Sequence, residues 1–179
     1  MRGRIEVDLS EHYKQMKLPA LVGTYHNMFN EMMYCNKAHT VMLKDCGILD
    51  DDTIKKILAA IDQVHDEFKA EDLSLDNGDD LYLNVEHQMI SRIGSTAGKM
   101  HTGRSRNDLY STLSRMVARR ELLKVMRSVI ETQRILIKMA ADNVDTVMTG
   151  YTHMQPAQPT TLAHYLTSYA NALARDFSR

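Results

Sequence analysis

The sequence predicts an all-α protein, a domain of short helices followed by the first part of a long-helix bundle. Three observations carry this expectation. The 179 residues include no Trp, three Phe and three Pro but thirteen Met, and with Leu, Ala and Lys plentiful that composition suits helices better than sheets. Apolar residues recur at steps of three and four through most of the chain, and no run reads as a convincing strand. From about Asn107 to Asp145 neither Gly nor Pro interrupts the chain.

Taken in order, the first twenty residues have weak periodicity and read as mostly irregular, with a short helix around Glu11 to Lys17. From about Tyr25 to Lys44, Met28, Met32, Cys35, Ala38, His39 and Met42 recur at helical spacing, and Gly47 is a C-terminal stop. Asp50-Asp51-Asp52-Thr53 caps a second helix with the stripe Ile54, Ile57, Leu58, Ile61, Val64 and Phe68, ending near Ala70. Leu73 to Asp79 reads as a loop. Asp79-Asp80 opens a third helix through Val85, Met89 and Ile93 to Gly94.

Ser105 with Asp108 three residues later resembles a capping box at the head of the long helix. Its seam is Leu109, Leu113, Met116, Leu123, Met126, Ile130, Ile137 and Val144. Pro156 and Pro159 forbid a regular helix through the next segment, and a last helix runs from about Thr160 with Leu162, Tyr165, Leu166, Tyr169, Leu173 and Phe177 on one face. It reaches Arg179 without a stop signal, which reads as an element cut in mid-course. The expected division is 1–104 for the helical domain and 105–179 for the bundle.

Bulk properties narrow the function. A net charge of -1, from 22 basic and 23 acidic residues, gives no general reason to expect nucleic acid or an anionic membrane as partner. Cys35 and Cys46 do not suggest a disulfide framework, so a cytoplasmic, reducing setting is the expectation. No apolar run approaches the roughly 20 residues of a membrane span, and Met1 to Glu6 lacks a signal-peptide core.

Two segments carry the chemistry. In Gly94-Ser-Thr-Ala-Gly-Lys-Met-His-Thr-Gly-Arg-Ser-Arg-Asn-Asp108, three glycines allow close ligand approach, and Lys99, His101, Arg104, Arg106, hydroxyls and the Asn107 amide lead into a helix N-terminus. That pattern suits a carboxylate or phosphate. A P-loop is excluded by its length, which is one residue short, by Met100 where a magnesium-binding hydroxyl belongs, and by the lack of a preceding strand. A solvated basic turn is the plain alternative. In Gly150-Tyr-Thr-His-Met-Gln-Pro-Ala-Gln-Pro159, the prolines restrict the backbone beside His153, which suits proton transfer. His12, His26, His39, His65, His87 and His164 read as structural, and no metal-ligand cluster is expected. An unbroken helix between the two segments sets them roughly 50–60 Å apart. If both serve one site, different subunits supply them.

Together the segments resemble the fumarase/aspartase superfamily and, within it, the argininosuccinate lyases. Gly98 to Asp108 matches Gly-Lys-Leu-His-Thr-Gly/Ala-Arg-Ser-Arg-Asn-Asp, and Gly150 to Pro159 matches Gly-Tyr-Thr-His-Leu-Gln-x-Ala-Gln-Pro. Weaker similarity at Lys37 to Leu43 and Asn84 to Glu86 extends it over most of the chain after about residue 30. The resemblance implies the N-terminal portion of a homotetramer with active sites built from three subunits. It also implies a cofactor-free reversible β-elimination releasing fumarate and arginine from argininosuccinate, as in arginine biosynthesis. Carried over by motif, Ser105, Arg106 and Asn107 would hold substrate carboxylates, Thr152 would hydrogen-bond the substrate and His153 would move a proton.

Three departures bear on that implication. The superfamily's Gly-Ser-Ser-x-Met-Pro-x-Lys-x-Asn segment with its catalytic serine has no counterpart in these residues, so this chain alone is expected to be inactive. Tyr82 stands where argininosuccinate lyases usually carry a substrate-side His. No serine near Pro19 to Thr24 matches the family's N-terminal substrate-binding one as a clear counterpart. A related lyase acting on another N-substituted aspartate, an inactive crystallin-like scaffold and an unrelated helical interaction domain are the competing readings.

Overall fold

The computed structural model describes residues 9–69 and 79–179. Five helices dominate it: α1 (Glu11–Asp45), α2 (Asp51–Lys69), α3 (Leu81–Ile93), α4 (Arg106–Ala141) and α5 (Leu162–Phe177). A 3-10 segment (Gly94–His101) links α3 to α4, and two strands, β1 (Val147–Thr152) and β2 (Gln155–Thr161), lie between α4 and α5. The all-α expectation holds, with a hairpin added that the periodicity did not reveal. Of the loop expected over Leu73 to Asp79, all but Asp79 lies outside the described residues, as do Ala70 and Met1 to Glu6.

The chain divides into two compact units after Val117. In the first, α1 to α3 and the 3-10 segment enclose a core of Phe29, Met32, Met33, Leu43, Ile57, Ile61, Leu81, Met89 and Met100, all fully buried. Phe29 and Phe68 stack at 4.0 Å between centroids, with Tyr25 edge-on to both. Leu109 and Leu113, the first two positions of the α4 seam, complete that core.

α1 corrects the expected irregular start. Ser10 caps it by accepting from the Tyr13 N–H at 3.2 Å, and the helix then runs through Pro19 without a break. Pro cannot bond the carbonyl four residues back, but Gln15 is exposed there, so water can meet the freed group. α2 begins as its sequence predicts: the Asp50 carboxylate accepts from both the N–H and the hydroxyl of Thr53, at 2.7 and 3.0 Å. These bonds hold the Asp50 carboxyl below its ordinary range.

The second unit holds the remainder of α4, the hairpin and α5. Gln133 donates to the Ala170 carbonyl at 3.1 Å, and Ala140, Leu166 and Ala170 are buried. The rest of the α4 seam departs from expectation: Met116, Met126 and Ile130 are half-buried, while Leu123, Ile137 and Val144 are exposed. α4 also ends at Ala141, four residues before the expected Asp145, in a turn closed by Asn143 and Thr146. Among the described residues no helix is long and apolar enough to cross a membrane.

Candidate active site

Two helix N-termini meet at one cavity in the first unit. At the head of α4, Ser105 Oγ accepts from the Asn107 N–H at 3.0 Å, and the Asp108 carboxylate accepts from the Ser105 N–H at 2.9 Å. This is the reciprocal capping box expected from Ser105 and Asp108. At the head of α3, Asp80 Oδ1 accepts from the Leu83 N–H at 2.9 Å. Between the two ends lies a cavity of about 580 Å³ lined by Asp80, Ser105, Arg106, Asn107 and Tyr110.

That geometry suits an anion for reasons of physics alone. Two helix dipoles raise the potential where the helices begin. The Arg106 guanidinium, the Ser105 hydroxyl and the Asn107 amide add side-chain donors on the same wall. Asp80 places a carboxylate there too, yet both its oxygens are engaged: Oδ1 by the α3 cap, Oδ2 by Arg106 Nη1 at 2.9 Å.

Behind this wall a second set of contacts fixes the segment from Gly94 to Arg104. The sequence suggested an open glycine-rich loop; the chain instead winds a 3-10 segment that buries Ala97 and Met100. Apolar side chains at these two positions give the turn a core-facing side, which a solvated loop lacks. Gly94 (φ 63°) and Gly103 (φ 68°) punctuate its two ends in the left-handed region that favours glycine. Arg104 Nη2 donates to Asn36 Oδ1 at 2.8 Å and to His101 Nδ1 at 2.7 Å, while His39 Nε2 donates to the Thr102 carbonyl at 3.0 Å. The turn is thereby bolted to α1. Burial, the adjacent Arg104 charge and His39 push the His101 pKa down to about 4, so its ring is neutral near pH 7.

Arg104 and His101 thus serve the scaffold, although the sequence grouped them with the anion-binding residues. Lys99, Ser95 and Thr96 do not line the cavity. Asp80 and Tyr110 do, and the sequence reading missed both. Asp80 had been read only as a helix cap, and Tyr110 carried no signal apart from its position one turn after Arg106.

Thr152 and His153 belong to the second unit, where the structure corrects the picture of a proline-stiffened loop. Thr152 ends β1, paired with Gln155 of β2, and His153 and Met154 form the two-residue connection. Both have left-handed backbones, φ 50° and 61°, the signature of the tight turn that joins antiparallel strands. Neither is Gly or Asn, so the turn carries strain of the kind that collects at functional positions. His153 stands exposed at the hairpin tip. The remaining histidines keep structural partners where contacts are seen: His65 donates to Asn30 Oδ1 at 2.8 Å and His87 lies 3.4 Å from Asp79.

A family model described as lyase matches residues 11–179. The chain belongs to that lyase family. Its curated relatives include an argininosuccinate lyase of Natronomonas pharaonis, 43% identical over 152 residues that make up 85% of this chain and 30% of the relative. Argininosuccinate lyase 1 of Shouchella clausii is 37% identical over 182 residues, 100% of this chain and 36% of the relative. Among solved structures, an EDDS lyase variant with bound fumarate superposes with a TM-score of 0.79 at 36% identity, over 98% of this chain and 35% of that one. This lyase chain therefore spans about a third of the length of the relatives it matches. The match to the Shouchella clausii relative runs over the whole chain and so covers both the capping-box segment and the hairpin.

Proposed function

We propose that this chain is part of an argininosuccinate lyase-like enzyme that releases fumarate and arginine from argininosuccinate by reversible β-elimination. The observation that carries the reading is the cavity where Ser105, Arg106 and Asn107 converge at two helix N-termini, in a chain about 40% identical to argininosuccinate lyases. In this reading residues 1–104 form the helical domain, and 105–179 begin a central bundle.

The chemistry follows from the donors. A base takes the proton on the carbon next to a substrate carboxylate, and the electron pair flows into that carboxylate to give a doubly charged aci-carboxylate. Donors already aimed at the oxygens, Ser105 Oγ, the Arg106 guanidinium and the Asn107 amide, stabilise the added charge. The pair then returns to form the double bond as the C–N bond breaks, and the leaving nitrogen takes up a proton. His153 handles one of these protons, with Thr152 beside it hydrogen-bonded to the substrate. No step in this scheme calls on a cofactor.

The capping-box segment precedes α4 and the hairpin follows it, and the family resemblance implies sites built from several subunits. We therefore assign the two segments of one complete site to different copies of the chain, in a homo-oligomer that the family resemblance makes a tetramer. The hairpin supports the assignment, since an isolated two-stranded ribbon is marginal in water and Tyr151 and Met154 stand exposed on it.

The test is fumarate formation from argininosuccinate by the full-length protein, followed at the absorbance of the new double bond. His153→Asn is expected to cut turnover by about two to four orders of magnitude, the range of a general acid or base. Near-normal turnover would remove His153 from the mechanism. A second reading, elimination from a different N-substituted aspartate, is favoured by Tyr82 and by the EDDS lyase likeness. Fumarate release from a panel of such amines, with none from argininosuccinate, would select it.

A further inference from the structure

We propose that the first turn of α3 is a cradle that aims Arg106, with Tyr82 as a positioning residue acting through the guanidinium. The inference rests on the reading of Arg106 as a carboxylate-binding group. Tyr82 does not line the cavity. Its ring instead lies under Arg106, 5.1 Å from ring centroid to guanidinium carbon. The ring also meets His101, 4.6 Å between centroids, and the Tyr82 backbone N–H donates to the Tyr110 hydroxyl at 3.3 Å.

Each contact fixes one degree of freedom of a long side chain that would otherwise sweep the cavity mouth. The Asp80 carboxylate holds one edge of the guanidinium at 2.9 Å, and Asp80 itself is pinned by capping α3. The Tyr82 face sets the plane. His101, neutral and tied to Arg104, keeps the ring from turning away without adding a competing charge. A planar, forked donor presented at a set angle gains more from a carboxylate than a mobile one, because less freedom is lost on binding. The cradle therefore acts on affinity for the carboxylate, and it needs the aromatic face of residue 82 and not its hydroxyl.

The experiment measures fumarate binding by calorimetry in the full-length protein, with thermal unfolding alongside. Tyr82→Leu keeps apolar bulk but removes the π face, and should weaken fumarate about two- to fivefold, the range of a partly exposed cation–π contact. Tyr82→Phe should restore affinity to within twofold of the parent. In an Arg106→Gln background the Leu substitution should add no further loss, since its effect passes through the guanidinium. Undiminished affinity in Tyr82→Leu, an equal loss in Tyr82→Phe, or a full additive loss in the Arg106→Gln background would each overturn the cradle. If Tyr82→Leu unfolds, the Phe variant and Tyr82→Met, which also lacks a π face, decide the matter by the same comparison. Fumarate is common to both substrate readings, so a protein inactive on argininosuccinate that still shows this pattern keeps the cradle and loses only the proposed substrate.

Discussion

Ser105 does two things with one hydroxyl: its oxygen accepts the Asn107 N–H at 3.0 Å, and its proton remains free to point at an anion. The two roles separate by substitution. Ser105→Asp should keep the cap, since Asp caps as well as Ser, and leave thermal unfolding near that of the parent. It should also abolish fumarate binding by placing a like charge in the cavity. Ser105→Ala should instead lower stability by about 1 kcal/mol, the usual cost of a lost cap. A second residue-scale prediction concerns pH. The folded state holds His101 at a pKa of about 4, below the 6.5 of an unperturbed ring, and burial lowers His65 in the same direction. The unfolded chain therefore binds protons that the folded chain refuses, so this stability is full above about pH 6.5 and declines as pH falls toward 4. Denaturant unfolding at both ends of that window should show the loss, and His101→Gln should flatten it; an unchanged slope would contradict the assignment. At this scale the sequence was informative where motif and capping chemistry coincide, at Ser105, Arg106, Asn107 and Asp108. Tyr110 escaped, and Tyr82 stood out only as a departure from the family, because their contacts arise from packing between α3 and α4, sequence-distant elements whose approach no local pattern encodes.

α2 and α3 were legible because a buried stripe repeats every three or four residues and both start at the acidic caps their sequences supply. The hairpin was not legible. Pro156 and Pro159 read as breakers, yet a two-stranded ribbon has only edges, where a missing N–H costs no ladder bond. Its register slips between Thr149 and Tyr151, and there a side chain on Gly150 would meet the Gln158 carbonyl oxygen at 2.8 Å. Gly150→Ala should therefore destabilise the hairpin by about 1–3 kcal/mol, as overpacking does, with local amide exchange as the readout; unchanged protection would mean the backbone gives way. Met154 is 91% exposed with φ 61°, so Met154→Gly should relieve left-handed strain without losing packing. It should slow exchange in β1 and β2, and faster exchange would show that the methionine has a packing role.

For the whole molecule, the proposed homo-oligomer gives a use to apolar positions that the sequence assigned to a seam and that stand exposed here, Leu123, Ile137 and Val144. Periodicity announced the seam but could not say whether its partner lay within the chain or in another copy. Leu123→Glu should cost the full-length protein its oligomeric state, read by sedimentation, because a charge at an apolar helix interface is left without a partner. An unaltered sedimentation profile would place Leu123 outside the interface.

Sharing of one site between copies is tested most directly by mixing two inactive full-length variants, His153→Asn and Asn107→Leu, unfolding them together and refolding. Mixed oligomers should contain some sites built from an intact capping-box segment of one copy and an intact hairpin of another, and fumarate release should return. If the refolded mixture forms hybrid oligomers yet stays as inactive as either parent, each site is made by a single chain and copies do not share it.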